Sequence, residues 1–376
     1  NDPGPSTVND AHATSVAGIV AAVGNNGLGV AGIAYTSKVM PVRIFLGGTF
    51  AGDANAASAI YYAAGRTANG LGTWNAATIL NNSWGGGSAS AAITAALTWA
   101  SNQARGGLGV PSFISSGNSG ASSIAYPANL AGTLSGVIAV GASTHIDNRA
   151  GYSQFGPQLD FVAPSSNNLG AAGGVGTATT DRVGANGYNT AASPNGDYTT
   201  AIPESTAFGG TSSAAPLAAG IGALLLSQNP TLSAAQVRAI MRGTAELVGP
   251  VPYVNGFNTQ YGYGRVNAFR ALNVAVANAP EITVYGDGRE LASGGVSSGF
   301  QAEVGQTVTR TFSVRNIGLP ELTLGAATVT SGPFSIQTPL SDTTLALGEV
   351  ATFTVADRPS TVAPVTATVN IPSNDA

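Results

Sequence analysis

Short apolar runs alternate with helical patterns over most of the chain, and this alternation constrains its fold more than any other feature. Residues 39–45, 77–83, 110–116 and 137–142 are β-rich or continuously apolar, as is typical of strands covered on both faces. A helical pattern at 88–104 lies between two of them. Alternating strands and helices predict an α/β fold with a mainly parallel sheet.

Further helices are predicted on either side of this alternating region. Apolar spacing indicates a buried helix over residues 11–23, with His12 at its start. A helix rich in Ala, Leu and Gly is predicted over 212–228, and Ser233 is predicted to cap the next one. A last helix is expected after Gly264.

The pattern changes near residue 278. Polar and apolar residues alternate at 307–314, and similar segments follow at 343–357 and 366–372. This period of two indicates strands with one buried face. We therefore expect two domains, an α/β domain at 1–278 and an all-β sandwich at 279–376.

Composition excludes several classes of function. Only 9% of residues are charged and the net charge is −4, so nucleic acid is not an expected partner. Cysteine is absent, which excludes disulfides and thiolate nucleophiles. The most apolar run, 214–226, is shorter than the roughly 20 residues of a membrane span, so no transmembrane segment is expected. The polar opening at Asn1, without a signal peptide, indicates an N-terminal truncation.

Three polar residues are candidates for acyl-transfer chemistry. His12 is one of only two histidines, and Ser212 is predicted at a helix N-terminus, where free backbone N–H groups favour negative charge. Asn118 follows the strand at 110–116 and could donate a second hydrogen bond to an oxyanion. Taken singly, such residues are more often helix caps and turn residues.

The order of short motifs around these residues resembles the subtilisin superfamily, especially its kexin/furin branch. The resemblance extends to about residue 276 and implies a three-layer subtilisin-like fold. The motifs are HATSVAG from His12, NNSWG at 81–85, SSGNSG at 115–120, YSQFGPQLDFVAPS at 152–165, GGTSSAAP at 209–216 and GYGRVNAFRAL at 262–272.

The resemblance implies a secreted or cell-surface bacterial serine endopeptidase that acts on protein or peptide substrates. In it, His12 takes the proton from Ser212, Ser212 attacks the peptide carbonyl, and Asn118 holds the oxyanion. His145 is expected to be an exposed turn residue without a catalytic role.

The same resemblance implies residues that bind substrate. Ser83, Trp84 and Gly85 match the family strand that pairs with an extended peptide. Ser116 and Gly117 match the other wall of the primary pocket.

A calcium loop is also implied. NNGLGVAG at 25–32 matches a family loop in which Asn26 offers a side-chain oxygen. Backbone carbonyls near Gly24, Leu28 and Val30 would complete part of the oxygen cage. A plain turn is the alternative interpretation of this segment.

Two departures from the family pattern, the missing triad aspartate and Ala13, favour a second hypothesis, a catalytically inactive scaffold used in surface binding or adhesion. A third departure concerns substrate specificity. The strand that carries the triad aspartate is not found before His12, and neither Asp2 nor Asp10 is assigned its role. Loss of that carboxylate predicts a decrease in turnover on the order of 10⁴-fold. Ala13 replaces the family glycine beside the base. Acidic residues that would select basic side chains are missing, so dibasic specificity is not predicted.

A lipase-like hydrolase is disfavoured because no G-x-S-x-G motif precedes an acid and then a histidine.

The C-terminal segment resembles Ig-like choice-of-anchor and ASPM/SPD-2/hydin-type repeats of bacterial surface proteins, and it stops about one strand early. We expect this module to be a spacer or an anchor-linked module.

Overall fold

The computed structural model describes residues 10–66, 74–167, 175–277, 279–298, 300–330 and 332–375, without the side chain of Glu204. No helix in this described part is both long and apolar enough to cross a membrane.

Six α-helices form in the described part of the chain before residue 279, and most lie close to the predicted segments. The capping box at Ser233 is confirmed, since its side chain accepts from Gln236 N at 3.2 Å and Ser233 N donates to Gln236 Oε1 at 2.9 Å. The helices are α1 (His12–Ala21), α2 (Asp53–Ala63), α3 (Ala91–Asn102), α4 (Thr211–Gln228), α5 (Ala234–Gly243) and α6 (Ala268–Ala277).

A parallel four-stranded sheet lies at the centre of this part of the molecule. Strands β3 to β6 follow one another in sheet order, and each pairs in parallel with the next. An α/β fold with a parallel sheet is confirmed, and β6 is a strand that the apolar pattern did not predict. The strands up to this point are β1 (Phe45–Leu46), β2 (Thr49–Phe50), β3 (Leu80–Asn82), β4 (Ser112–Ser115), β5 (Val137–Ser143) and β6 (Phe161–Pro164).

Helices cover both faces of the sheet. Ile114 and Ala139 belong to one hydrophobic cluster with buried residues of α2 and α3. The neighbouring positions Phe113 and Ile138 point the other way and pack with α4, α5 and α6. This alternation explains why the strands are apolar throughout, because each face contacts a helical layer.

The predicted strand at 39–45 is wrong for most of its length. Only Phe45 belongs to a strand, and that strand forms a short antiparallel hairpin with β2. Met40, Val42 and Ile44 still pack against the first cluster, which explains the apolar alternation. Alternate burial therefore occurs here without a hydrogen-bonded strand partner among the described residues.

Strands replace helices after α6. The main sheet is antiparallel, in the order β12, β14, β9, β7, β8, and Phe312 and Phe353 stack in its core. These sheets are consistent with an Ig-like all-β domain. The strands are β7 (Ile282–Gly286), β8 (Arg289–Leu291), β9 (Val308–Asn316), β10 (Leu322–Thr323), β11 (Thr328–Val329), β12 (Phe334–Thr338), β13 (Thr344–Leu345), β14 (Val350–Asp357) and β15 (Val369–Asn370).

The β-domain packs against α5 and α6. Leu319 and Leu347 contact the hydrophobic cluster beneath these helices. The Arg315 guanidinium lies 4.3 Å from the ring centroid of Tyr263. A Cβ atom at Gly243 would lie 2.8 Å from Ile317 Cγ2, so a side chain there would collide with the β-domain.

Candidate active site

His12 opens α1, which packs against α4, the helix that carries Ser212. The hydroxyls of Thr179 and Thr180 donate to two carbonyl oxygens in the first turn of α1, each at 2.8 Å. Gly18 permits this approach, because a Cβ there would lie 2.1 Å from Thr180 Oγ1. Thr179, Thr180 and Gly18 thus hold the helix that carries His12 in position.

Ser212 is the second residue of α4 and follows Gly210, whose φ of 77° is readily adopted only by glycine. Its backbone N–H belongs to the first helical turn, whose N–H groups have no acceptor carbonyl within the helix. Its hydroxyl donates to the Ser83 carbonyl at 3.4 Å, and the Ser83 hydroxyl donates to the Ser212 carbonyl at 2.9 Å. The nucleophile candidate is therefore held against the end of β3.

Asn118 is exposed, and its side chain is oriented by one neighbour. Its Oδ1 accepts from Thr211 N at 2.9 Å and from Thr211 Oγ1 at 2.8 Å. A backbone N–H can only donate, so the amide oxygen must face Thr211. Nδ2 makes no hydrogen bond to a described residue. Two donors, Asn118 Nδ2 and Ser212 N, are thus available next to the candidate nucleophile.

The imidazole of His12 contacts the Phe208 ring edge to face, with centroids 5.3 Å apart and planes at 77°. His12 keeps exposed surface, and desolvation by the surrounding protein lowers the pKa of its imidazole from the ordinary value of 6.5. The neutral imidazole, the form that can accept a proton, is favoured. Among the described residues His12 forms no ion pair and no hydrogen bond to Ser212. Asp10 precedes α1 and is half-buried, and Asp2 lies outside the described residues.

Ser83, Trp84 and Gly85 continue from the end of β3. Trp84 is half-buried, and its indole N–H donates to Asn82 Oδ1 at 3.1 Å. A Cβ at Gly85 would lie 2.8 Å from the Tyr126 carbonyl oxygen, so the backbone passes close to that residue. Gly85 itself is exposed, which leaves backbone groups accessible beside Ser212.

Ser116 and Gly117 follow β4 on the other side of Ser212. The Ser116 hydroxyl is buried and donates to the Gln154 carbonyl at 2.9 Å. Gly117 has a φ of 111°, and its N–H donates to Thr211 Oγ1 at 3.3 Å. A Cβ at Gly117 would lie 1.9 Å from Gln154 Oε1 and at a positive φ, so glycine is favoured here. These contacts tie the Asn118 loop to the first residue of α4.

Residues 23–31, which include the predicted calcium loop, line an open cavity of about 220 Å³. The carbonyl oxygens of Gly24, Leu28 and Val30 accept no hydrogen bond from a described residue. Asn26 Oδ1 accepts from Leu28 N at 3.0 Å. The donor set is composed of oxygens, as Ca²⁺ requires, but it includes no carboxylate. The described residues contain no cluster of three or more His, Cys, Asp or Glu side chains that could hold a metal.

Sequence reasoning missed two residues of the site. Thr211 orients Asn118 and lies inside the quoted motif GGTSSAAP, so its hydroxyl was a signal that could have been used. Phe208 contacts His12, and nothing in its local sequence pointed to that role. His145 is exposed, and its Nδ1 donates to Asn167 Oδ1 at 3.0 Å.

Comparison with known proteins identifies the family to which this arrangement belongs. The model of the subtilase family (peptidase S8) matches residues 1–264. The chain belongs to the subtilase family. A second model, the HYDIN/CFA65/VesB-like Ig-like domain, matches residues 301–376.

The subtilase chain is similar to several proteins named as proteases. It is 32% identical over 292 residues to a calcium-dependent protease of Nostoc sp., covering 72% of this chain and 41% of that protein. It is 35% identical over 269 residues to alkaline elastase YaB of Bacillus sp., covering 71% and 57%. A solved protease structure from Pseudoalteromonas arctica superimposes with a TM-score of 0.56 and 30% identity, covering 70% of each chain. The chain thus spans about two fifths to three fifths of the length of these two curated relatives.

Proposed function

We propose that this subtilase is a serine endopeptidase in which Ser212 is the nucleophile and His12 the general base. The observation that carries the proposal is the orientation of Asn118. Thr211 holds its oxygen from two sides, so Nδ2 is directed away from Thr211 at the N-terminal turn of α4. Asn118 Nδ2 and Ser212 N–H would then stabilise the oxyanion that forms when Ser212 attacks a carbonyl.

The chemical steps follow from the state of each group. The lowered pKa of His12 favours a neutral imidazole, which can accept the proton of the Ser212 hydroxyl. The Ser212 oxygen bonds to the peptide carbonyl carbon, and the imidazolium then gives its proton to the departing amine. Water hydrolyses the resulting acyl-enzyme. For this to occur the Ser212 hydroxyl must turn from the Ser83 carbonyl toward His12.

The proposed substrates are proteins or peptides bound in an extended conformation. Ser83, Trp84 and Gly85 would pair with the peptide backbone on one side, and Ser116 with Gly117 would form the other wall. The accessible backbone at Gly85 supports this role. Three statements stay predictions: secretion, assignment to the kexin-like branch, and use of the C-terminal module as a spacer. An extracellular protease of Xanthomonas campestris, 34% identical over 314 residues, is consistent with secretion.

Calcium is proposed as a structural ligand of the loop at 24–30. Asn26 and the carbonyls of Gly24, Leu28 and Val30 would hold it, and the ion would rigidify the segment that follows α1. The free carbonyls around the cavity support this proposal, as does the name of the Nostoc relative.

A fluorophosphonate probe tests the proposed activity directly, because it reacts with an activated serine. We expect labelling of the chain, slowed by about 10⁴-fold where the triad carboxylate is missing, and none of the Ser212→Ala variant. Ser227→Ala, at an exposed serine near the end of α4, is the control. Mass mapping should place the label on Ser212. Labelling that persists in Ser212→Ala would contradict the assignment.

The alternative is a subtilase scaffold without catalysis, and Ala13 is the observation that favours it. This residue is exposed directly beside His12, at the position where the family resemblance has glycine. If the folded chain is not labelled, Ala13→Gly should be tested. Labelling restored by Ala13→Gly would show that this methyl group disables the base, whereas labelling of the unsubstituted chain would contradict the scaffold.

A further inference from the structure

The segment 177–180 contacts both sides of the candidate site. The Thr177 N–H donates to the Phe208 carbonyl at 2.7 Å, and the Phe208 N–H donates to the Thr177 carbonyl at 3.0 Å. The hydroxyls of Thr179 and Thr180 bind the first turn of α1 at 2.8 Å. One short segment therefore connects the helix of the base to the turn that precedes the nucleophile.

The aromatic side chains extend this connection to the imidazole itself. Phe208 is 2% exposed, and its ring contacts His12 on one side. Its ring centroid also lies 5.4 Å from that of Tyr188, with planes at 57°. Such aromatic pairs shift an equilibrium roughly two- to twelvefold beyond the effect of area burial. The Phe208 ring is thus fixed by its backbone and by a second ring.

We propose that Phe208 is a positioning residue for His12. Its ring holds the imidazole in one orientation beside the turn that carries Ser212, only four residues further along the chain. This inference rests on the proposed function, since it explains how the base is aligned with the nucleophile. The sequence motifs assign no such role to Phe208.

Few charged groups surround the imidazole among the described residues. Helices α1 and α4 contain no Asp, Glu, Lys or Arg. Asp10 lies two residues before His12. On the side of Phe208, burial first and Asp181 second raise the pKa of Tyr188, so its hydroxyl stays neutral near pH 7. Asp181 itself accepts backbone N–H groups from Arg182 and Asn189. Among the described aromatic rings, Phe208 is the one in contact with the imidazole of His12.

The test measures His12 directly by proton NMR, because the chain has only two histidines. In Phe208→Leu, which keeps apolar volume but loses the ring, the ring-current displacement of the His12 signals should disappear. The rate of fluorophosphonate labelling at Ser212 should fall roughly two- to twelvefold. Phe208→Tyr should restore both. Signals of His145, whose described contact is with Asn167, should not move in any variant.

Two further variants keep the test decisive if Phe208→Leu is unstable. Thr179→Val removes one hydroxyl that holds α1 and should displace the same His12 signals, whereas Thr179→Ser should not. Unchanged His12 signals and labelling rate in folded Phe208→Leu would overturn the positioning role. Absence of labelling in the unsubstituted chain even after prolonged incubation with the probe would instead overturn the proposed function, and the NMR signals would still report whether Phe208 orients the ring.

Discussion

Replacing Asn118 by aspartate separates the two roles proposed for this side chain, holding its loop and donating to the oxyanion. The carboxylate of Asn118→Asp can still accept from Thr211 N and Thr211 Oγ1, so the loop should keep its position. It loses the Nδ2 donor and places negative charge where the oxyanion would develop. Removing one oxyanion donor, as in a subtilisin, slows catalysis about 10²–10³-fold, or about 2.7–4 kcal/mol. We expect a loss of at least this size.

The alanine variant should lose the same Nδ2 donor and, in addition, lose stability. Asn118→Ala also leaves the buried Thr211 without its acceptor, which should lower the free energy of unfolding by about 1 kcal/mol or more. The assay is the second-order rate of fluorophosphonate labelling, combined with thermal unfolding of each variant. Ser119→Ala, a change at the exposed neighbouring residue, serves as the matched control. Labelling of Asn118→Asp at the unsubstituted rate would refute the assignment of Nδ2 as an oxyanion donor.

Three further predictions concern pH, folding and calcium. The labelling rate should fall with the neutral fraction of His12 as pH decreases, with a midpoint below 6.5 in the pH–rate profile; a midpoint above 6.5 would contradict the burial argument. Asp160→Asn should lower the free energy of unfolding by about 3–5 kcal/mol and the Tm by roughly 6–20 °C. The reason is that the fully buried carboxylate of Asp160 pairs with Arg238 at 2.6 Å and with Arg242. A loss below about 1 kcal/mol in chemical unfolding would count against this. Millimolar calcium should raise the Tm measured in EDTA, and Asn26→Ala should reduce that increase; equal values with and without calcium would exclude the loop as a calcium site.

The parallel sheet and most helices could be predicted because their signals are local. Every residue of Val137–Ser143 is buried, and the sequence shows this as an uninterrupted run of apolar and small residues. The capping box at Ser233 depends on two residues three positions apart. Such elements carry their own boundaries in the sequence.

The parts that could not be predicted depend on contacts between distant segments. Residues 39–45 alternate like a strand, yet a strand also requires a hydrogen-bonded partner, which no local pattern supplies. The catalytic candidates were found from their motifs, whereas Phe208 and Thr179 act through neighbours far away in sequence. Thr179, for example, binds the Ser15 carbonyl 164 residues away. Motif spacing identifies reactive groups but not the residues that orient them.

The position of the C-terminal module argues against a freely moving attachment. Arg315 is 3% exposed and stacks on Tyr263, and Ile317 fills the space left by the missing side chain of Gly243. Arg270 forms a two-pronged ion pair with Glu290, at 2.9 Å for each contact. Because these residues belong to both parts of the chain, separating the parts would expose apolar surface next to α5 and α6. The module therefore supports the helices that pack against the parallel sheet.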